Sequence, residues 1–151
     1  MKGFGENNNY KKIKKRSDNP SIEEIINYAI NFQLKGNFEE ANKCYKYCID
    51  NGIKDPRVFC NYGLILLKLG DLQNAKLMME RSIEISPNDT KSYNNLSGIL
   101  QELGKFDEAE TILYKSLEID QKNSITYSNL GTVLIHQGKL DEAELILKKS
   151  I

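Results

Sequence analysis

Four asparagines, Asn27, Asn61, Asn95 and Asn129, recur at intervals of 34 residues. A carboxamide carries two N–H donors and a carbonyl acceptor, the groups that a peptide main chain also carries. A row of them along one surface can hold an extended peptide by its backbone without reading its side chains. Four such contacts at about 0.5–1.5 kcal/mol net sum to roughly 2–6 kcal/mol before the ligand's ordering cost. That alone supports millimolar binding at best, so useful affinity needs side-chain pockets or more repeats. The alternative is structural, with each amide bonding a neighbouring helix or water. Nothing else in the chain points to catalysis. His136 is the only histidine, and it has neither a nucleophile nor an orienting carboxylate beside it. Cys44, Cys48 and Cys60 are too few for a metal site and read as small core residues. The Asp/Glu pairs recur with the repeat as helix-start chemistry, and there is no glycine-rich phosphate loop. The chain therefore reads as no enzyme, with no cofactor and no metal.

The elements that carry these asparagines share their period. Gly36, Gly70, Gly104 and Gly138 are 34 apart, each followed five residues later by Ala41, Ala75, Ala109 or Ala143. A fixed period of this length marks a stacked repeat protein. Blocks of about 22–55, 56–89, 90–123 and 124–151 each hold two segments with helical apolar spacing. The first segments show Ile25/Tyr28/Ala29/Phe32, Phe59/Tyr62/Gly63/Leu66, Tyr93/Leu96/Ser97/Leu100 and Tyr127/Leu130/Gly131/Leu134, one stripe in each helix. Each asparagine falls roughly 150° round from that stripe, where packing against the paired helix does not account for it. Ser21 and Glu24 predict a capping box at the first helix. Each repeat glycine ends its helix in the left-handed conformation, and Asn37 and Asp71 cap the next helix. Lys105 and Lys139 stand there in the last two blocks. Small residues follow at Cys48, Ser82, Ser116 and Ser150, while Gly52 leaves the exit of the first block open. The spacing predicts eight helices of about 12–14 residues in antiparallel pairs, each pair covering its neighbour's apolar face.

An apolar share of 40% and a charged share of 28% fit a folded, soluble chain. Residues 1–20 carry six Lys/Arg against Glu6 and Asp18 and read as a disordered basic tail, with the array over 21–151. Lys11–Arg16 has the charge to touch nucleic acid or an anionic surface, but a solvated tail is the preferred reading. With zero formal net charge overall, the array sums to −4, so no nucleic acid is expected on the repeats. Leu64-Ile65-Leu66-Leu67 is too short to span a bilayer, so no membrane is expected. The N-terminal lysines precede no apolar core of a secretory signal. Three cysteines, an odd number, suit reduced thiols in a cytoplasm.

Phe59, Tyr62-Gly63, Leu66, Ala75, Met79 and Pro87 follow the order of large, hydrophobic, small and later alanine positions that marks the tetratricopeptide repeat (TPR) family. So do Tyr127, Leu130-Gly131, Leu134, Ala143 and Leu147. The chain resembles that family across residues 21–151, although it has no tryptophan and places Ile53 and Gln121 where Pro87 stands in its own block. The resemblance implies an all-α fold, an α-solenoid of four stacked helix-turn-helix TPR units in a right-handed superhelix. The first helix of each pair would line the inner wall, and the family's usual work is holding a peptide or another protein. The asparagine row is similar to the ladder inside the TPR superhelix of O-linked N-acetylglucosamine transferases. Beside it, Arg57, Leu64, Lys68, Lys91 and Gln101 are expected to bind peptide. The same wall would carry Ile26, Ile30, Gln33, Cys60, Asn94, Glu102, Ser128, Thr132 and His136. Some chaperone-binding members clamp a terminal carboxylate. Arg57 and Lys91 would supply charge for that here, but Ile26 and Ile30 stand where the clamp wants polar residues, so it is set aside.

The expected function is a protein- or peptide-binding TPR scaffold with an extended segment in its concave groove. The alternative is the N-terminal, substrate-recruiting part of a larger glycosyl-, sulfo- or methyltransferase whose catalytic domain is not in this chain. Ile151 falls partway through the last expected helix, with no polar cap after it. A piece of a longer chain is favoured there over self-association through the open C-terminal end.

Overall fold

In the computed structural model residues 20–150 are described. The tail expected at 1–20 lies outside them, apart from Pro20. The described residues form eight α-helices and no strand. The chain divides into two compact units, residues 1–53 and 54–151.

The first unit holds one hairpin, α1 (Ile22–Leu34) and α2 (Phe38–Asp50). α1 opens on the capping box: Ser21 Oγ accepts from the Glu24 N–H at 3.2 Å and Glu24 Oε2 from the Ser21 N–H at 2.8 Å. Gly36, at φ +74°, ends it. The Asn37 N–H then reaches the Phe32 carbonyl (2.8 Å) and the Gly36 N–H the Gln33 carbonyl (3.0 Å), the Schellman closure that a left-handed residue allows. The same pair of bonds recurs at Gly70, Gly104 and Gly138. It recurs also at Gly52, where the Ile53 N–H meets the Cys48 carbonyl at 3.0 Å. The first hairpin thus leaves through a glycine turn.

The second unit holds three hairpins: α3 (Pro56–Lys68) with α4 (Leu72–Ile85), α5 (Thr90–Glu102) with α6 (Phe106–Ile119), and α7 (Ser124–His136) with α8 (Leu140–Leu147). Its first helices start on Asp55, Asp89 and Asn123, whose side chains accept from the Arg57, Lys91 and Thr126 N–H groups. Asp71 caps α4, while Lys105 and Lys139 make no side-chain cap. There Asp107, Glu108, Asp141 and Glu142 in the first turn put negative charge at the positive helix end instead. α8 runs for 8 residues where α6 runs for 14.

The alanines sit where each second helix crosses its first. Ala75, Met79, Ala109 and Leu113 are wholly buried, and Leu96, Leu100, Leu130 and Leu134 are at most 2% exposed. The small residue of the stripe sets how closely the helices approach. A Cβ on Gly63 would lie 3.0 Å from Met79 Cε and 3.3 Å from the Ala75 carbonyl, and one on Gly131 would collide with the Leu147 side chain.

Hydroxyls fasten one hairpin of this unit to the next. Ser82 Oγ lies 3.0 Å from Ser92 Oγ and donates to the Pro56 carbonyl at 3.0 Å. One repeat on, Ser116 Oγ lies 3.2 Å from Thr126 Oγ1, which also accepts from Asn94 Nδ2 at 2.9 Å. All four hydroxyl residues are fully buried, so each must keep a partner or cost its desolvation. Helices α3 and α5 approach within 8 Å, Cα to Cα, as do α5 and α7, whereas α4, α6 and α8 come no closer than that to one another among the described residues. A stack drawn together on one side curves, and the first helices lie on the inside of that curve.

Candidate functional site

Residues offset by 4, 7 and 11 along a helix fall within about 60° of one another. On α3 this stripe is Arg57, Asn61, Leu64 and Lys68; on α5 it is Lys91, Asn95, Gly98 and Glu102; on α7 it is Ile125, Asn129, Thr132 and His136. The asparagines mark where the stripes meet. Asn95 Nδ2 lies 3.5 Å from Cys60 Sγ on α3, and Asn129 Nδ2 donates to Asn94 Oδ1 on α5 at 3.2 Å. Each therefore bonds a neighbouring first helix through one amide group, as the structural reading of the row has it. The carboxamide oxygens of Asn95 and Asn129, and the whole carboxamide of Asn61, have no hydrogen bond among the described residues. Asn27 belongs to the first unit. It is exposed on α1, with Nδ2 3.5 Å from Glu23 Oε1.

Arg57, Asn61 and Lys91 come together in a cleft of about 170 Å³, lined also by Pro56, Cys60 and Asp89. Its charges are not equivalent. The Arg57 guanidinium forks onto Asp55, with Nε–Oδ1 at 3.0 Å and Nη2–Oδ2 at 2.7 Å, and holds that carboxyl below the usual carboxylate range. The Lys91 ammonium is exposed and pairs with no carboxylate among the described residues. Leu64 and Gln101 are half-buried, the latter beside Gly98, while Lys68 is exposed at the end of α3.

Of the residues expected on the wall, Ile26 and Gln33 are not there, and Cys60 is buried with only an edge on the cleft. Ile26 is 1% exposed and Cys60 6%, so both are core. The position just before each asparagine is turned about 100° away from it, and in Cys60 that points it at α5. Gln33 follows the buried Ala29 by one turn and faces α2, where its Oε1 accepts from the Tyr45 hydroxyl at 2.9 Å. Sequence reasoning also missed Asn94 and Thr126 as fasteners. The pairs Ser82/Ser92 and Ser116/Thr126, each ten residues apart and 34 from the other, were the available signal.

Gly98 was missed as well. Like Gly63 and Gly131, one place earlier in their blocks, it has no positive φ, but unlike them a Cβ built on it meets nothing within 4 Å. Glycine inside a helix costs about 0.5–1 kcal/mol relative to alanine, and no packing here offsets that cost.

Burial, with Cys48 and Glu40 nearby, pushes the Cys44 thiol up to about 11, so it stays protonated and a poor nucleophile. His136 is exposed and stacked on Phe106, ring centroids 4.9 Å apart and planes 16° from parallel. No helix among the described residues is long and apolar enough to cross a membrane.

The second unit is thus a stack of helical hairpins with amide-bearing first helices on its inner side, the architecture of a repeat-built scaffold. Two family models, both described as tetratricopeptide repeat, match residues 88–151 and 56–89. The chain belongs to the tetratricopeptide repeat family. A crystal structure of MamA is similar with a TM-score of 0.84 at 20% identity, over 93% of this chain and 82% of that one. A MamA RS-1 ArsTM double mutant is similar with a TM-score of 0.80 at 15% identity, over 91% and 76%. YrrB, described as a TPR protein with an unusual peptide-binding site, is similar with a TM-score of 0.77 at 21% identity, over 87% and 68%. At such identities the likeness bears on the fold. No curated protein matched the sequence.

Proposed function

We propose that the inner face of the second unit is a non-catalytic binding surface that holds an extended peptide or protein segment. The observation that carries this is the row of Asn61, Asn95 and Asn129, one per first helix on the side where those helices close up, with carbonyl oxygens that have no partner among the described residues. Peptide N–H groups are the complement of those oxygens. Lys91, Arg57, Leu64, Lys68 and Gln101 surround the row and would add the side-chain contacts that the amides alone lack. Asn27 is assigned to the row by its period only. The description of YrrB as a peptide-binding TPR protein agrees with this use of the fold. All three cysteines are free thiols, which suits work in a reducing cytoplasm.

The test is the double variant Asn61→Ala with Asn95→Ala. Of the two, only Asn95 loses an internal contact, a long one to sulfur. The melting temperature should stay within about 2 °C of wild type, while affinity for peptides selected on the wild-type chain should fall at least tenfold. A large drop in melting temperature with unchanged peptide affinity would make the row structural.

A further inference from the structure

Gly98 is a stripe residue of the second unit whose type the packing does not explain. Its equivalents are Leu64 on α3 and Thr132 on α7, so the repeat does not call for glycine there. It lies mid-helix, and the space where its Cβ would stand is open. Missing side chains of this kind let another backbone come close. On the N-terminal side of the gap the stripe carries groups that complement a peptide. Asn95, one turn earlier, has a carboxamide oxygen with no hydrogen bond among the described residues. Lys91, two turns earlier, presents an ammonium with no carboxylate partner among the described residues.

We infer that Gly98 is the crossing point of the guest: an extended peptide lies with its main chain against α5 at this residue and sets an acidic side chain on Lys91. This rests on the peptide-binding reading and adds to it where the strand passes and one residue type it carries. A side chain at Gly98 would hold the peptide main chain away from Asn95 by the width of a methyl group or more. The open space means that the same substitution leaves the fold intact, and alanine even favours the helix.

The probe is a set of 12-residue peptides selected from a displayed random library on the full 151-residue chain. Affinity is then read by fluorescence anisotropy against wild type, Gly98→Ala, Gly98→Leu, Lys91→Ala and the Asn61/Asn95 double variant. Selected peptides should be enriched in Asp or Glu. Gly98→Ala should weaken them about threefold or more and Gly98→Leu more than tenfold, while Gly98→Ala raises the melting temperature by about 2–5 °C. Lys91→Ala should weaken them and flatten the salt dependence of binding. If Gly98→Leu binds as tightly as wild type while the asparagine variant is weakened, the groove reading stands and the crossing point at Gly98 is overturned. If Gly98→Leu weakens binding but peptides show no acidic preference and ignore Lys91→Ala, the acidic contact is overturned. If no peptide is enriched, or none responds to any of these variants, both readings fall together.

Discussion

The packed face and the hollow face of the second unit obey the 34-residue period to different degrees. On the packed face the period governs size and chemistry alike: Ala75, Ala109 and Ala143 are buried in turn, and Gly63, Ser97 and Gly131 all keep the crossing tight. On the hollow face only the asparagines repeat. Around them Arg57, Lys91 and Ile125 share one position, and Leu64, Gly98 and Thr132 another. Packing a hairpin on an identical hairpin imposes one steric solution, so each repeat must give the same answer. Nothing inside the molecule imposes a solution on the hollow, and its residues are free to answer to something else. The mid-helix glycines show the contrast directly. Gly63 and Gly131 are there because a neighbour fills the space, and Gly98 although no neighbour does.

The strongest way to break the contrast is at the packed face. Leu96→Ala, at a site 2% exposed, should cost about 2–5 kcal/mol and show as a large fall in melting temperature. Next, Gly63→Ala should cost about 1–3 kcal/mol by overpacking. The opposite sign is expected for Gly98→Ala, and calorimetry on the two glycine variants separates the faces. If both were destabilising, the distinction would fail. Smaller again is Thr126→Val, which removes the hydroxyl between Ser116 and Asn94. It should cost about 1–2 kcal/mol in denaturant unfolding.

The smallest effect is a pH dependence on the outer side. Burial raises the Glu110 carboxyl, but the Lys139 ammonium at 2.7 Å and the Gln137 amide at 2.9 Å outweigh it and leave the group below its usual range. A lowered carboxylate stabilises the fold above its unfolded pKa of about 4.3, and that contribution is lost as pH falls through the lower folded value. Lys139→Ala should therefore be slightly less stable than wild type at pH 7. The gap should close under acid conditions, as read by urea midpoints at both pH values.

Much of the fold was legible because it repeats. The Schellman glycines, the Ser21/Glu24 box and the caps at Asn37 and Asp71 are local signals, and four copies of a weak pattern make a strong one. The hollow was only partly legible. Helical periodicity places a residue on a side of its own helix, but not against its neighbours. Ile26 therefore looked like wall and proved to be core, and Cys60 lies buried against α5 with only an edge on the cleft. Gln33 was misplaced because its position is two-faced: polar by type, yet one turn beyond Ala29 and within reach of the Tyr45 hydroxyl. Ser82 and Ser116 were recognised as small but not as donors. Size can be read from one residue, whereas a hydrogen bond needs the partner's position as well.

The paired hydroxyls have a consequence for how the chain can be lengthened. Residues 90–123 begin near Ser92 and end beyond Ser116, and each of these already meets a hydroxyl across a boundary: Ser82 on one side, Thr126 on the other. A duplicate spliced in after Asn123 would join Ser116 to a second Ser92, and a second Ser116 to Thr126. Neither joint asks for chemistry the protein lacks. The segment is in that sense a cassette, and the reach of the binding trough becomes a quantity that can be set by counting copies.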